Sequence, residues 1–405
     1  MNIAIAMDSF KGSLTSLEAG RAVERGIKRA LPDASVIIRP MADGGEGTVD
    51  ALAEGLCGRI RKITVSGPLG TPVDCAYAIA DGTHAPSGKN PWLDSTPFQA
   101  DAPRGSLAVI EMAGAAGLPL VPPDQRNPLK TSTFGVGEVI LDALDQGCRR
   151  FIIGIGGSAT NDGGAGMLSA LGYQLLDGAG RPIHSGAEGL LSLASIDESS
   201  VLPALSKCSF RVACDVTNPL CGPRGASAVF GPQKGASPEM IPLLDKALSN
   251  LASAAAGLFP GADPAFPGSG AAGGLGFALR TFLNASLEHG ADIIMDAVGL
   301  ESAISLADLV ITGEGRMDGQ TSMGKTPAGV ARIAGHFKKP VIAFAGCVSP
   351  EASAGIGGID ACFPILREIT SLEEAMKPEN AAVNLSAAAE QAFRLLSVWR
   401  RMVGA

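Results

Sequence analysis

A strand that runs directly into a glycine-rich turn is the most constraining feature of this sequence. Residues 150–167 read RFIIGIGGSATNDGGAGM, an apolar run followed by closely spaced glycines and by Asn161 and Asp162. A buried strand that ends in such a turn leaves backbone N–H groups free to face an anion. Asp162 would repel a bare phosphate, whereas a divalent cation between the two would bind both. The segment therefore predicts a site for a metal–phosphate species, and hence for a nucleotide.

Short apolar strands alternate with helices at both ends of the chain. Near the N-terminus, residues 2–7, 35–39 and 60–66 have the pattern of strands, and near the C-terminus residues 308–312 and 340–345 have the same pattern. Strands that alternate with short helices are typical of a parallel sheet. The chain ends therefore predict an α/β fold.

The middle of the chain does not continue this alternation of strands and helices. Residues 68–111 read as extended segments, interrupted at 85–105 by a polar, proline-rich stretch that we interpret as a surface insertion. A long helix at 237–258 is followed by a glycine-rich linker at 266–276. Because 405 residues suffice for two domains of ordinary size, we expect a second domain between the chain ends.

Composition excludes several classes of partner. A net charge of −8 and an aromatic content of 4% argue against nucleic acid as a partner. The chain has no excess of basic residues to bind a phosphate backbone and few aromatic side chains on which bases could stack. No apolar run approaches the roughly 20 residues of a membrane span, and the N-terminus does not have the pattern of a signal peptide. The eight cysteines include no C-x-x-C pair, which indicates buried free thiols in a reducing cytoplasm. We therefore expect a cytoplasmic protein with small-molecule partners.

Charged residues follow several predicted strands, at the edge where α/β sheets bind ligands. Asp8 and Lys11 come just after the first strand, and Asp43 and Glu46 lie in the motif ADGGEGT ahead of a helix. Helix capping explains an acid at that position but not the two adjacent glycines. Asp215 follows another apolar strand, either as a capping residue or as a catalytic base.

A charged loop follows the first strand of the C-terminal third. It contains Glu314, Arg316, Asp318 and Lys325. The loop formally fits G-x-x-x-x-G-K-[ST], but charged residues separate it from the strand, and a proline follows where a backbone donor is needed. We therefore predict a ligand-contacting loop of another kind. Lys234, between glycines in GPQKGA, is either an anion clamp or part of an exposed turn.

The glycine turn also permits a second interpretation. Gly154, Gly156 and Ala159 satisfy G-x-G-x-x-G/A after a strand, and Asp177 lies about 20 residues further on, as in dinucleotide-binding proteins. The chain would then be an NAD-dependent dehydrogenase of a small hydroxy acid. The polar run that begins at Asn161 interrupts the helix that this fingerprint requires, so metal–nucleotide binding is the preferred interpretation. A binding protein without turnover is a third alternative.

Taken together, these motifs resemble the bacterial-type glycerate kinases (the type-1 glycerate kinase family). The matching stretches follow the family order along nearly the whole chain: DSFKGSL, ADGGEGT, GIGGSATNDGGAGM, RVACDVTNPLCG, FGPQKGA, GAAGGLG and ITGEGRMDGQTSMGKTP. The resemblance implies ATP-dependent phosphorylation of D-glycerate with Mg²⁺, more often at the 2-hydroxyl, in glyoxylate, glycolate or sugar-acid breakdown. It also implies two α/β domains, a flavodoxin-like parallel sheet from residues 1–66 and 290–405 and an inserted domain of residues 67–289. The sequence is compatible with a homodimer and does not determine the oligomeric state.

Phosphoryl transfer requires positioning, charge neutralisation and a base, which defines four groups of candidate residues. Those expected to carry the chemistry are Asp215 as base, Lys11 as the neutralising cation, and Asp43 and Asp8 as reserve bases. The nucleotide phosphates are expected at Gly156, Gly157, Ser158, Thr160, Asn161, Gly163 and Gly164. Glycerate is expected at Arg316, Lys325, Lys234, Glu314 and Asp318, and the metal at Asp162 and Glu46.

Overall fold

The structure is a computed structural model that describes residues 1–81, 105–319, 326–350 and 357–403. Its two large sheets confirm the predicted α/β class. The strands are β1 (Asn2–Met7), β2 (Ser35–Ile38), β3 (Arg59–Ser66), β4 (Pro72–Ala80), β5 (Ser106–Glu111), β6 (Cys148–Gly154), β7 (Gln174–Asp177), β8 (Leu193–Asp197), β9 (Ser209–Ala213), β10 (Ser286–Glu288), β11 (Leu309–Met317), β12 (Val341–Val348) and β13 (Ala361–Pro364). The α-helices are α1 (Ser16–Ala30), α2 (Thr48–Gly55), α3 (Ala113–Ala116), α4 (Phe134–Asp145), α5 (Ala165–Ala170), α6 (Ala187–Leu190), α7 (Ala226–Phe230), α8 (Met240–Ala256), α9 (Ala271–Phe282), α10 (Gly290–Ala297), α11 (Leu300–Leu306), α12 (Thr326–His336), α13 (Leu372–Met376) and α14 (Pro378–Val403).

The chain ends build a five-stranded, parallel sheet. Its order is β13–β12–β11–β1–β2, which from the β2 edge is the order 2-1-3-4-5 of a flavodoxin-like sheet, as predicted. Ala4 in β1 pairs with Val310 of β11 on one side and with Ile37 of β2 on the other. The direction in which the chain crosses the sheet reverses between β1 and β11. Proteins of this kind bind ligands at the carboxyl ends of such a strand pair.

The middle of the chain builds a six-stranded mixed sheet. Its order is β10–β9–β6–β5–β4–β3, with the first four strands parallel and the last two antiparallel to their neighbours. We expected residues 60–66 in the N-terminal domain, but β3 pairs with β4 along its length. The reason is local: the turn closes with a hydrogen bond of 2.7 Å from the Gly67 N–H to the Thr71 carbonyl, and a hairpin pairs the strands it joins. The boundary after residue 66 thus falls within this hairpin, and the remaining domain division stays a prediction.

Strand β1 is buried on both faces, and its side chains alternate between two layers of helices. Ile3 and Ile5 face α1 and α14 on the outer side of the first sheet. Ala4 and Ala6 face a layer formed by α2, α10, α11 and α12, which also packs against the second sheet. A separate core around Phe151, with α4, α5, α8 and α9, covers the other face of the second sheet. The two sheets therefore share one layer of helices.

The eight cysteines are free thiols, but the prediction that they are buried is wrong for Cys57 and Cys347, which are exposed. Burial raises the pKa of Cys75, Cys148 and Cys208 to about 11. These three thiols are therefore protonated and unreactive near neutral pH.

None of the helices in the described ranges is long and apolar enough to cross a bilayer.

Three glycines let the two sheets meet without side chains between them. Gly44, in the loop between β2 and α2, has a φ of +86°, and a Cβ at this position would lie 2.4 Å from the Ala213 Cβ at the end of β9. A Cβ on Gly154, at the end of β6, would lie 2.3 Å from the Gly44 carbonyl oxygen. A Cβ on Gly290 would lie 2.0 Å from the Asp43 carbonyl oxygen. The loop after β2 is therefore held against the second sheet by contacts that only glycine permits.

Gly154→Ala tests this contact between the sheets. We expect the free energy of unfolding to fall by about 1–3 kcal/mol, because the added methyl group overpacks against backbone. Gly178→Ala is the matched control, since a Cβ at that glycine would meet no atom within 4 Å. Its free energy of unfolding should stay within about 0.5 kcal/mol of wild type. Urea denaturation followed by circular dichroism measures both, and equal stability of the two variants would refute the contact.

Candidate active site

The carboxyl ends of the two sheets face a common cleft with two adjoining cavities. The first-sheet cavity, of 610 Å³, lies at the ends of β1 and β11. The second-sheet cavity, of 480 Å³, lies at the ends of β6 and β9. Lys11 and Asp43 line both cavities. The predicted site residues that line one or both are Asp8, Lys11, Asp43, Gly156, Gly157, Ser158, Asp215, Lys234, Glu314 and Arg316.

Lys11 and Asp43 form an ion pair at the junction of the two cavities. The Lys11 Nζ lies 3.2 Å from Asp43 Oδ2, and the lysine side chain is 69% exposed. Burial lowers the pKa of Lys11, but the nearby carboxylates, first that of Asp43, outweigh this effect and raise the pKa overall. Asp43 Oδ1 accepts a hydrogen bond of 3.1 Å from the Gly45 N–H. The loop after β2 thus fixes the carboxylate that holds the lysine.

Asp8 supplies a buried carboxyl group to the first-sheet cavity. Its Oδ1 accepts a hydrogen bond from the Ser9 N–H at 2.7 Å, and its Oδ2 accepts one from the Thr326 hydroxyl at 2.9 Å. Burial, and next the charge of Asp43, raise the pKa of Asp8. Glu314, only 8% exposed, lines the same cavity. Thr326 was not among the predicted site residues, because its hydroxyl acts from a helix start 318 residues away.

Asp215 lies in the second-sheet cavity, just after β9. Its Oδ1 accepts a hydrogen bond of 3.0 Å from the Gly290 N–H, and His289 Nδ1 lies 3.5 Å from the same oxygen. The Asp215 side chain is 50% exposed. Capping and catalysis, the two alternatives from the sequence, are therefore compatible, since one oxygen fixes the start of α10 while the side chain stays accessible. His289 was not among the predicted site residues, and the parallel pairing of β9 and β10 brings it beside Asp215.

The glycine-rich segment after β6 divides into two parts. Its first part, residues 156–158, lines the second-sheet cavity. Its second part is buried: Thr160 and Asn161 are fully inaccessible, and Gly163 and Gly164 pack against α8 and α9. The prediction that these four residues contact nucleotide phosphates does not fit this burial.

A second glycine-rich segment explains why the residues after Ser158 are buried. Residues 266–276, expected to be a linker, contain the start of α9 and a kink at 272–274 with φ between +50° and +93°. The Gly163 N–H donates a hydrogen bond of 2.9 Å to the Gly273 carbonyl. A Cβ on Gly273 would lie 2.1 Å from the carbonyl oxygen of Thr160. Gly273 thus allows backbone to pack on backbone, whereas Gly163 makes room for leucine side chains of α8. The linker prediction is wrong.

Asp162 organises the glycine turn and does not fit the predicted role of metal ligand. Its Oδ2 accepts hydrogen bonds from the Thr133 N–H and hydroxyl and from the Gly166 N–H, at 2.8–3.1 Å. Its Oδ1 accepts one from the Gly164 N–H at 3.2 Å. Burial raises the pKa of this fully buried carboxyl group, although the hydrogen bonds act in the opposite direction. Glu46, the other predicted ligand, is exposed and lines a different cavity of 240 Å³.

Lys234 lies behind the turn, and its burial excludes the exposed-turn interpretation. It is only 2% exposed, and its Nζ donates hydrogen bonds to Ser158 Oγ at 2.7 Å and to the Thr160 carbonyl at 2.6 Å. Burial lowers the pKa of Lys234 to about 7, and Asp162 partly offsets this effect. Lys234 is also one of the residues that line the second-sheet cavity.

The segment predicted as a charged loop is largely strand, because β11 extends to Met317 and pairs with β12 through Glu314 and Arg316. Arg316 lines the first-sheet cavity, and its Nε lies 3.4 Å from Asp318 Oδ2. The arginine side chain is 71% exposed. Lys325 lies outside the described residues, as does the predicted insertion at 85–105 apart from its last residue. Among the residues that the structure describes, no group of three or more Asp, Glu, His or Cys could hold a metal ion on its own.

The dinucleotide fingerprint lacks its structural context. The turn after β6 continues to Gly164, and α5 begins only at Ala165. Asp177 lies on β7, which pairs with β8 in a separate antiparallel ribbon instead of continuing the sheet of β6. Its carboxylate binds Arg181, at 2.9 Å. The βαβ unit of a dehydrogenase is therefore not formed by these residues, and that alternative has no support.

The buried amine of Lys234 makes stability depend on pH. Its folded-state pKa of about 7 lies below the ordinary value of 10.5, so between these values the unfolded chain binds more protons and the folded state gains stability as the pH rises. From pH 7 to pH 9, wild type should therefore gain unfolding free energy relative to Lys234→Met, by up to about 1.4 kcal/mol per pH unit. Chemical denaturation of both proteins at each pH measures the difference. Parallel pH curves would mean that the pKa of Lys234 is not lowered.

Known proteins resemble this chain along its whole length. Residues 3–397 match the glycerate kinase family. The glycerate kinase of Bacillus subtilis (strain 168) is 49% identical over 378 residues, which are 93% of each chain. The glycerate 2-kinase of Escherichia coli (strain K12) is 44% identical over 405 residues, which are 100% of each chain. The crystal structure of a putative glycerate kinase 2 from Salmonella typhimurium LT2 matches with a TM-score of 0.86 at 47% identity, over 99% of each chain. The motifs, the flavodoxin-like sheet and these similarities agree that the chain belongs to the glycerate kinase family.

Proposed function

We propose that this protein is a glycerate kinase that transfers the γ-phosphoryl group of ATP to the 2-hydroxyl of D-glycerate. Family membership supports the reaction, and the Escherichia coli relative named glycerate 2-kinase supports the 2-hydroxyl. The observation that carries the proposal is that Lys11, beside the Asp43 carboxylate, lines both cavities. Substrates in the two cavities would meet at this cation. We assign the reaction to the cytoplasmic breakdown of glyoxylate, glycolate or sugar acids.

The second-sheet cavity suits the carboxylate of glycerate. Its lining includes the glycine turn at 156–158 and Lys234, whose buried amine bonds to Ser158. An anion beside this amine would favour the charged form and raise its lowered pKa. This arrangement revises the expectation that the turn binds nucleotide phosphates while Arg316 holds the carboxylate. Arg316, in the first-sheet cavity, then lies on the side left for the nucleotide.

Asp215 is the proposed base for the glycerate hydroxyl. It lines the same cavity as the glycine turn, and the Gly290 N–H fixes its Oδ1. A general base must lie within hydrogen-bond reach of the proton it removes, and a substrate held by Lys234 in this cavity would lie near Asp215. His289, at 3.5 Å, would stabilise the carboxylate when the imidazole is protonated.

Lys11 is proposed to neutralise charge on the phosphoryl group during transfer. In this reaction, charge spreads over the oxygens of the transferred group, and preplaced cations stabilise it. The ion pair with Asp43 fixes the amine at the junction of the cavities. Asp43 and Asp8 remain the reserve candidates for the base.

The carboxylates near Lys11 fit a divalent cation that arrives with the nucleotide. The pKa of Asp8 is raised by burial and next by Asp43, as expected for crowded carboxyl groups that a cation would relieve. Mg²⁺ is usually held by one or two protein carboxylates together with substrate phosphates. Asp8 and Asp43 would hold it, in place of Asp162 and Glu46. When bound, Mg²⁺ supplies further neutralisation of phosphate charge.

Phosphorus NMR of the reaction mixture tests the proposed function. The protein is incubated with ATP, Mg²⁺ and D-glycerate, and we expect resonances of ADP and 2-phosphoglycerate to appear together. ADP with only inorganic phosphate, or no reaction, would reject the kinase. The 3-phospho product would retain the kinase and reject the assignment of the 2-hydroxyl.

Asp215→Asn removes the proposed base and retains an acceptor for the Gly290 N–H. We expect kcat with glycerate to fall by about 10²–10⁴-fold, the usual loss for a general base. Asp263→Asn is a matched control, because Asp263 also accepts a backbone hydrogen bond, from the Ala265 N–H, in an exposed loop away from both cavities. A steady-state coupled assay for ADP measures both. If the two variants have the same kcat, Asp215 is not the base.

Lys11→Ala removes the cation at the junction. We expect kcat at saturating ATP and glycerate to fall by roughly 10²–10³-fold, since transition-state charge loses a preplaced partner. Lys246→Ala, on an exposed position of α8, serves as the control. A rise in KM with unchanged kcat would assign Lys11 to substrate binding alone.

A further inference from the structure

The two cavities of the cleft differ in chemistry. Glycerate needs partners for one carboxylate and two hydroxyl groups, which the turn at 156–158, Asp215 and Lys234 provide in the second-sheet cavity. The far wall of the first-sheet cavity is apolar, and it is formed by Ile365, Leu366, Leu372, Ala375, Met376 and Ala381. Such a wall stabilises a bound ligand only by covering an apolar surface of that ligand. At 610 Å³, the cavity is also in the range that holds ligands much larger than glycerate.

One amide group accompanies this apolar wall. Asn384, on α14, lines the first-sheet cavity and is partly buried. Within the described ranges, its carboxamide has no hydrogen-bond partner. A carboxamide presents a donor and an acceptor side by side, which match N7 and the 6-amino group of adenine. Guanine presents two acceptors on that edge, so it cannot satisfy both groups.

We propose that the first-sheet cavity binds the adenosine part of ATP and that Asn384 recognises the adenine ring. This inference rests on the proposed kinase function. The apolar wall covers the ring, and the triphosphate extends past Ser9 towards Lys11, at the junction with the second-sheet cavity. The site lies at the ends of β1 and β11, the strand pair at which the chain direction reverses, where α/β sheets bind nucleotides.

The competing arrangement places the base in the second-sheet cavity. Gln233 lines that cavity and would supply the amide there. Asn384 and Gln233 thus form a matched pair, because each is an amide that lines one of the two cavities. Truncating each side chain separately distinguishes the two arrangements.

The ratio of kcat/KM with ATP to kcat/KM with GTP, at saturating glycerate, tests the assignment. We expect wild type to prefer ATP and Asn384→Ala to lower the ratio by about 5- to 150-fold, the range for one lost bidentate contact to a base. Gln233→Ala should keep the wild-type ratio. An unchanged ratio in Asn384→Ala, or a wild-type ratio near one, overturns the assignment. A loss confined to Gln233→Ala moves the base to the second-sheet cavity.

Filling each cavity tests the location independently of the amide. Ala375→Trp occupies the apolar wall, and we expect the KM for ATP to rise by about tenfold or more, with little change in the KM for glycerate. Val216→Trp occupies the second-sheet cavity and should raise the KM for glycerate more than that for ATP. The reverse pattern overturns the proposal. Circular dichroism of each variant verifies that it is folded.

Direct binding separates this inference from the proposed function. Calorimetry with Mg²⁺ and either ATP or GTP, without glycerate, reports on base recognition whether or not phosphoryl transfer occurs. Tighter binding of ATP than GTP that is lost in Asn384→Ala supports the nucleoside site for any phosphoryl acceptor. Turnover of glycerate with equal binding of ATP and GTP retains the kinase and overturns the site.

Discussion

The backbone contacts of Gly44, Gly154 and Gly290 determine how the two sheets meet. At each position an added Cβ would collide with backbone or, at Gly44, with the short side chain of Ala213. Such neighbours cannot rotate away as a long side chain can. The loop after β2 therefore cannot shift far from its position against the ends of β6 and β9. Its position sets Asp43 beside Lys11 and brings the ends of both sheets to a common cleft. The junction between the cavities therefore depends on the absence of side chains.

A second set of backbone contacts supports the wall of the second-sheet cavity. Gly163 packs on the kink at 272–274, and Asp162 fixes the same turn through four hydrogen bonds. These buried interactions hold the chain on one side of Ser158, while Lys234 bonds to it from behind. The part of the segment that faces the cleft is therefore short and rigid. A preorganised turn loses little entropy when it binds an anion, which suits a site for a small acid.

Much of the fold, and the centre of the site, follow from sequence rules that act over short distances. β1 has the predicted bounds, and Asp8, Lys11 and Asp215 come together because carboxyl ends of strands converge on one cleft. The role of Gly163 and Gly164 could not be predicted, because a glycine that approaches a ligand and a glycine that makes room for buried side chains look the same in a sequence. Asn384 was missed for a different reason, since a lone amide on a helix carries no sequence pattern.

The balance of charge at the junction supports the proposed metal–nucleotide through acids other than Asp162 and Glu46, the two predicted from the sequence. Asp8, Asp43 and Glu314 are all close enough to Lys11 to raise its pKa, so one amine faces three carboxyl groups. A bare triphosphate entering this region would add repulsion that the lysine alone does not offset. When the nucleotide carries a divalent cation, the repulsion becomes attraction, because the carboxylates attract the bound cation. Acids next to a phosphate site thus favour a cation-bound nucleotide, wherever along the chain those acids originate.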